Sequence, residues 1–238
     1  MINIENVEVI GWEASIRSIH NSINSWEKSD SRWFSSEDDI GVDYVQYNSH
    51  SYLPKLCFIG SNDLDLMKRL TKTDTDHCNF MQMITVYLDI TAPLYWWEEF
   101  DTYKVGIVAN SCSIIHKIID TKKEFTLEDF SYEHLDIRTR KILEEIIKAL
   151  NDYRTLYINY NEDDFEIKGC PSKKDIWWQM IQLIPSSYNQ KRTIRLNYEV
   201  LANIYKSRKN HKIDEWREFC DWIKTLPYSE LLTGLIVK

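Results

Sequence analysis

The sequence predicts an α/β chain, a sheet packed with several helices in a single body spanning residues 1–238. Three observations predict it. The run Ile84-Thr85-Val86-Tyr87-Leu88-Asp89-Ile90 has the β-branched and aromatic composition of a half-buried strand. Apolar residues recur at helical spacing from Ile137 to Tyr157 and mark a long helix. The chain has 43% hydrophobic residues with only 6 Gly and 5 Pro, which excludes disordered and fibrous classes, and its length suffices for a sizeable core.

The elements follow in order. Val7 to Gly11 reads as a short strand, and the helix after it, running to Trp26, places Ile16, Ile19 and Ile23 on one face. Residues 28–51 are polar and acidic and read as a surface loop or hairpin. Asn62-Asp63 starts a helix that buries Leu64, Leu66, Met67 and Leu70, and a polar connection containing His77 leads to the strand at Ile84. A helix from Pro93 to Tyr103 follows at once: Thr91 caps its free amides, and Pro93 stands where a missing N–H does no harm. Tyr95, Trp96 and Trp97 share this helix with Glu98, Glu99 and Asp101, so it must line a boundary. Gly106 then breaks the pattern before the polar cluster Asn110-Ser111-Cys112-Ser113. Thr126 and Asp129 form a capping box, and the long helix beyond carries Ile142, Leu143, Ile146, Ile147 and Leu150. A second surface loop spans 159–171, and Ser172 caps the helix KKDIWWQMIQLI. Pro185 to Arg192 reads as a turn, ahead of helices from Leu196 to Arg208 and from Asp214 to Lys224.

Charge and motifs bound the function. A net charge of −8 disfavours general nucleic-acid binding. No window of 18 apolar residues exists and the start MINIENVEVIGWE carries acids, so a cytoplasmic protein off the membrane is expected. The 5 Cys have no CxxC spacing and the 6 His no ligand spacing, so neither a disulfide framework nor a metal site is expected. Walker, GxGxxG and HExxH motifs are absent. The 9 Trp and 14 Tyr either fill cores or stack on flat ligands.

A second constellation lies near the C-terminus. At helical spacing Asn197, Leu201, Ile204 and Arg208 share one face, two apolar residues bracketed by an amide and a guanidinium. Lys191, Arg192, Arg195, Lys206, Lys209, His211 and Lys212 add positive charge around them in an acidic chain. That combination suits an anionic ligand such as a phosphate.

At these two places the sequence resembles the flavin-dependent thymidylate synthases. In that family a strand and an Ala-Pro-type turn feed a helix ending in Arg-His-Arg, followed by a loop of the form xxSxNExSxRY. Here Ala92-Pro93 stands at the turn, Thr102-Tyr103-Lys104 at the Arg-His-Arg, and Asn110 and Ser113 at the loop's Asn and Ser. The family's C-terminal helix, Asn-x-x-x-Leu-x-Asn-Phe-x-x-x-Arg, falls without a gap on Asn197, Leu201, Asn203, Ile204 and Arg208. Thr102 and Tyr103 replace an arginine and a histidine of that pattern, and Ser111 replaces its Glu. The chain is also similar to phage and prophage proteins sharing the run APLYWWEEFDTYKVG.

The resemblance implies a thymidylate-synthase-complementing-protein-like fold with an antiparallel or mixed sheet, assembled as a homotetramer with FAD at subunit contacts. It implies reduction of FAD by NADPH and transfer of a methylene group from methylenetetrahydrofolate to C5 of dUMP, with no enzyme cysteine as nucleophile. Carried over by position, Lys104, Asn197 and Asn203 hold the cofactor, while Glu99, Asn110, Ser113 and Arg208 contact the pyrimidine nucleotide. Against this one-carbon-transfer reading stand a catalytically inactive nucleotide- or flavin-binding phage protein that sequesters or senses its ligand, and an interaction protein presenting its aromatic residues to a partner.

Overall fold

The computed structural model describes residues 2–21, 24–34, 56–72, 78–111, 123–161 and 171–234. In chain order these residues form β1 (Asn3–Ile10), α1 (Trp12–Asn21), β2 (Arg32–Phe34), β3 (Leu56–Phe58), α2 (Ser61–Leu70), α3 (Asn79–Met83), β4 (Thr85–Pro93), α4 (Leu94–Phe100) and β5 (Val108–Ser111). Then come α5 (Ile137–Ile158), α6 (Lys173–Leu183), β6 (Asn189–Asn197), α7 (Tyr198–Arg208), α8 (Asp214–Ile223) and α9 (Glu230–Thr233). Two compact units result. The sheet unit comprises Ile2–Ile90, Asp101–Asn110 and Thr193–Lys238, and the helical unit comprises Thr91–Phe100 and Ser111–Arg192.

The main sheet is antiparallel and four-stranded, in the order β1-β4-β6-β5. On β4, Val86, Leu88 and Ile90 are buried while Tyr87 faces out, the period of two that a one-sided sheet requires. Asp89, on the outer face, accepts a hydrogen bond from Asn6 Nδ2 of β1 (2.8 Å) and another from Thr193 Oγ1 of β6 (2.6 Å), tying three strands together. Gly11, between β1 and α1, has φ 96°, and a Cβ there would stand 2.0 Å from the Met83 carbonyl oxygen, so no other residue fits. Behind the sheet, Trp12, Ile16 and Ile19 of α1 meet a core that includes Phe80, Tyr198, Leu201, Ile204 and Trp216. Within the segment 28–51, read as a surface loop or hairpin, Arg32–Phe34 is strand: β2 pairs antiparallel with β3, Trp33 opposite Cys57.

Strand β6 departs from the expected turn at 185–192, and α7 begins at Tyr198 rather than Leu196. Ile194 and Leu196 point inward while Lys191, Thr193 and Arg195 point out. The charged outer residues mask the alternation.

In the helical unit, Trp96, Trp97 and Phe100 of α4 are almost fully buried and pack ring on ring at 4.9 to 5.4 Å between centroids. Thr91 does not cap α4, because it lies within β4. The Tyr188 and Ser186 carbonyls accept the amides of Leu94 and Tyr95 instead. The helix stops at Phe100, short of the expected Tyr103. The Thr126/Asp129 capping box is present but closes only a 3-10 turn, and Asp136 caps α5 by accepting from Thr139 N at 2.8 Å. Ser172 caps α6 as expected. Leu143, Ile147 and Leu150 of α5 pack with Met180, Phe125, Phe130 and Tyr188. Among the described residues no helix is long and apolar enough to cross a membrane.

Candidate functional site

The predicted C-terminal constellation lies in the sheet unit and is split by α7 into two faces. Asn197, the last residue of β6, caps the helix by accepting from Val200 N at 3.0 Å. The loop from Asp101 runs against this end: at Gly106, φ 81°, a Cβ would lie 3.0 Å from Val200 Cγ2 and 3.3 Å from Asn197 Nδ2. Glycine permits that approach. Lys104, on this loop, and Asn110, on β5, are exposed.

The first face holds Leu201 and Ile204, both fully buried, so the middle of the predicted stripe belongs to the core. Arg208, in the last turn of α7, lies in an aromatic cage. Its Nε donates to Tyr103 Oη at 2.9 Å, its Nη1 meets His211 Nε2 at 3.0 Å, and the guanidinium sits 4.6 Å from the centroid of Trp216. Ser207 Oγ, which donates to the Asn203 or Ile204 carbonyl, lies 2.9 Å from Tyr103 Oη. The order of donors is therefore Arg208, Tyr103, Ser207, backbone carbonyl. Tyr103, standing where the resemblance expects a histidine, is thus the acceptor that orients Arg208.

The other face borders a cavity of about 460 Å³, within the size range of small-molecule sites. Glu199, Asn203 and Lys206 of α7 and Lys209 just after it, Lys68 of α2 and Lys72 just after it, and Glu230 of α9 line it. Lys68 is paired with Glu230 at 3.3 Å. Among the described residues Lys72 and Lys206 make no side-chain hydrogen bond or ion pair, and the wall sets Lys68, Lys72, Lys206 and Lys209 against Glu199 and Glu230, an excess of positive charge in a chain of net charge −8. Cys78, also on the wall, donates to the Leu70 carbonyl at 3.4 Å, and burial, with Glu199 nearby, raises its thiol pKa. It is held as a thiol and not as a nucleophilic thiolate. Burial likewise pushes Cys220 up to about 11.

Of the predicted site residues, Asn203 lines the cavity and Arg208 occupies the cage. Glu99 is half-buried on α4 in the helical unit. Ser113 and Cys112 lie outside the described residues. The sequence reading missed Lys68, in the last turn of α2, and Lys72, just beyond its end, whose spacing of four residues was the available signal. Among the described residues no group of three His, Cys, Asp or Glu could hold a metal.

No protein-family model matches the sequence, and no curated protein matches it. Solved structures do. Thymidylate Synthase X (ThyX) from Helicobacter pylori, crystallised with FAD and dUMP, is 12% identical, with 98% of this chain and 97% of that chain covered and a TM-score of 0.61. A second complex of flavin-dependent thymidylate synthase ThyX from Helicobacter pylori with FAD and dUMP is 13% identical over 97% of each chain, TM-score 0.57. A UMP/dUMP methylase, PolB from Streptomyces cacaoi, bound with 5-Br dUMP, is 12% identical over 99% of this chain and 96% of that one, TM-score 0.56. The chain therefore has a ThyX-like fold, mixed α/β with an antiparallel four-stranded sheet.

Proposed function

We propose that this chain is a divergent flavin-dependent enzyme that transfers a one-carbon unit to a pyrimidine nucleotide, dUMP or a close variant of it. The observation that carries the reading is the cavity beside α7, where the predicted cofactor residue Asn203 meets four lysines that outnumber the two carboxylates of the wall, Glu199 and Glu230. The residues fit an anionic cofactor of the FAD type: Lys72 and Lys206 suit a phosphate or pyrophosphate group, and the Asn203 amide suits a polar ring edge. FAD, when bound, supplies the redox chemistry, with NADPH and methylenetetrahydrofolate as co-substrates. The chain's own part is to orient the ligands and surround them with fixed charge. Asn197 and Gly106 shape the start of α7, and Lys104 adds a cation on the adjoining loop. Arg208 is held ready for the nucleotide phosphate by Tyr103, His211 and Trp216. Assembly as a homotetramer in the cytoplasm of a phage-infected host completes the reading.

One observation favours a second reading, a protein that binds nucleotide or flavin without turnover. Tyr103 replaces a motif histidine and fastens Arg208 within the chain. Purification and titration decide. Protein that copurifies with a flavin and methylates dUMP when given NADPH and methylenetetrahydrofolate supports the enzyme. Protein that binds dUMP or FAD in calorimetry but yields no thymidylate supports the binder. Failure to bind either overturns both.

A further inference from the structure

We infer that Glu199 makes the cavity beside α7 selective for an adenine nucleotide, with the base toward Glu199 and the phosphates toward Lys206. The inference rests on the reading that the cavity takes the cofactor, and it assigns the adenosine diphosphate part of FAD to this wall. Glu199, Ala202, Asn203 and Lys206 all line the cavity. Their spacing keeps them on one side of α7, so from its first turn to its last the wall reads carboxylate, methyl, amide, ammonium. At the helical rise per residue, Glu199 and Lys206 stand about 10 Å apart along the axis. Among the described residues none of these three polar side chains makes a hydrogen bond or an ion pair, and Glu199 is half-buried. Glu230, the other carboxylate of the wall, is answered by Lys68 at 3.3 Å.

A wall meant for phosphate alone gains nothing from Glu199, which repels it. A half-buried carboxylate with no donor from its own chain calls for a donor on the ligand. Asn203, one turn on, narrows the choice. An exocyclic amine beside a ring nitrogen presents a donor next to an acceptor, the pair that an Asn amide matches with its own carbonyl and NH2 when it reads adenine. Glu199 then accepts the second hydrogen of the amine. A base with a carbonyl at that place sets oxygen against the carboxylate. The same end offers surface for a flat ring: Cys78 lies close enough to Glu199 for the carboxylate to raise its thiol pKa, and buried Met81, whose amide bonds the Cys78 carbonyl at 2.9 Å, lines the cavity beside it.

Calorimetry of the full chain with ADP, inosine diphosphate and inorganic diphosphate tests it. Inosine diphosphate has a carbonyl where ADP has the amine. The wild type should bind ADP about tenfold tighter, or more, than either of the others. Glu199→Ala should bring the ratio of ADP to inosine diphosphate near one and leave inorganic diphosphate no weaker. Lys206→Ala should weaken ADP and inosine diphosphate alike and keep their ratio. Each ratio is read within one variant, so a change in stability common to both ligands cancels. A wild type that binds no ADP, or binds both nucleotides equally, overturns the proposal, as does a preference that survives Glu199→Ala. FAD titrated in parallel separates the two readings. A chain that takes FAD without telling ADP from inosine diphosphate keeps the flavin reading and loses this one, and a chain that tells them apart but takes no FAD does the reverse.

Discussion

Two polar clusters of the sheet unit look alike by composition and differ in what they leave unpaired. In the first, His20 and Asp63 are almost fully buried, and every partner comes from the chain. His20 Nε2 donates to Asp63 Oδ1 at 2.7 Å while Ser25 Oγ lies 2.8 Å from Nδ1. Asp63 Oδ2 accepts from the hydroxyls of Ser29 (2.7 Å) and Ser31 (2.5 Å). Asp30 accepts from the amides of Asn62 and Asp63, capping α2 from outside the helix, and Gly60 makes room, since its Cβ would fall 2.1 Å from the Asp30 carboxylate. In the second, the lysine cavity, Glu230 pairs with Lys68, and with Glu199 the wall has two carboxylates against four lysines. A cluster closed on itself has spent its charge on the fold. One with surplus charge facing a cavity has charge left for a ligand.

The largest effect should come from opening the closed cluster. Asp63→Ala leaves the buried His20 ring without its carboxylate and takes the shared acceptor from the more exposed Ser29 and Ser31, and a buried polar group left unsatisfied costs about 1–3 kcal/mol. Urea unfolding measures it; a loss no larger than that of a surface substitution would erase the contrast.

The same cluster should shape the acid limb of stability. Burial pushes the Asp63 carboxyl up, but the hydrogen bonds from Ser31, Ser29 and His20 together outweigh it, and the net shift is below the ordinary carboxylate value. A carboxylate depressed in the folded state stabilises above its unfolded pKa, and that contribution fades as pH falls through the folded value. Stability should therefore drop on acidification below the ordinary carboxylate range. Asp63→Asn should flatten that drop relative to the wild type, read as unfolding free energy against pH.

The open cluster should respond the opposite way. Lys72→Ala and Lys206→Ala are expected to leave unfolding free energy within about 0.5 kcal/mol of the wild type, since neither lysine has a partner to lose among the described residues. Each should instead weaken FAD binding about tenfold in calorimetry, the scale of one charge-assisted contact. A lysine substitution that destabilises the fold without touching FAD would place the cavity among the structural clusters.

The contrast also explains what was legible in the chain. Strand β4, helices α5, α6 and α8 and the Ser172 cap were readable, because the apolar period or a local capping pair announces each of them. The main miss was β6, whose buried residues include only two apolar ones, Ile194 and Leu196, set among Lys191, Arg192 and Arg195. The start of α2 is legible at Asn62-Asp63, yet its cap comes from Asp30 across 32 positions of sequence, a contact that no local pattern encodes. The site was half legible. Helical spacing placed Arg208 on a face with Leu201 and Ile204, but that face is core, and Asn203 lines a cavity with Lys68 of α2 and Lys72 just beyond it. Which face of a two-sided helix is wet depends on neighbours distant in sequence.

The smallest effect concerns the boundary between the two kinds of cluster. Arg208 is a cation with internal partners that nonetheless ends a helix beside the open face, so its cage is partly fold and partly site. Tyr103→Phe keeps the ring but removes the oxygen that accepts from Arg208 Nε and bonds Ser207 Oγ. The position is only half-buried, so water can replace the lost acceptor, and the cost should be about 0.5–1.5 kcal/mol in urea unfolding. The guanidinium stays stacked on Trp216 and against His211, so it keeps its charge and its place while losing one restraint on its angle. If Arg208 serves the nucleotide phosphate, dUMP affinity should fall a few-fold in Tyr103→Phe and far more in Arg208→Ala. Equal stability losses in both variants with dUMP affinity unmoved would assign the cage wholly to the fold, beside His20 and Asp63.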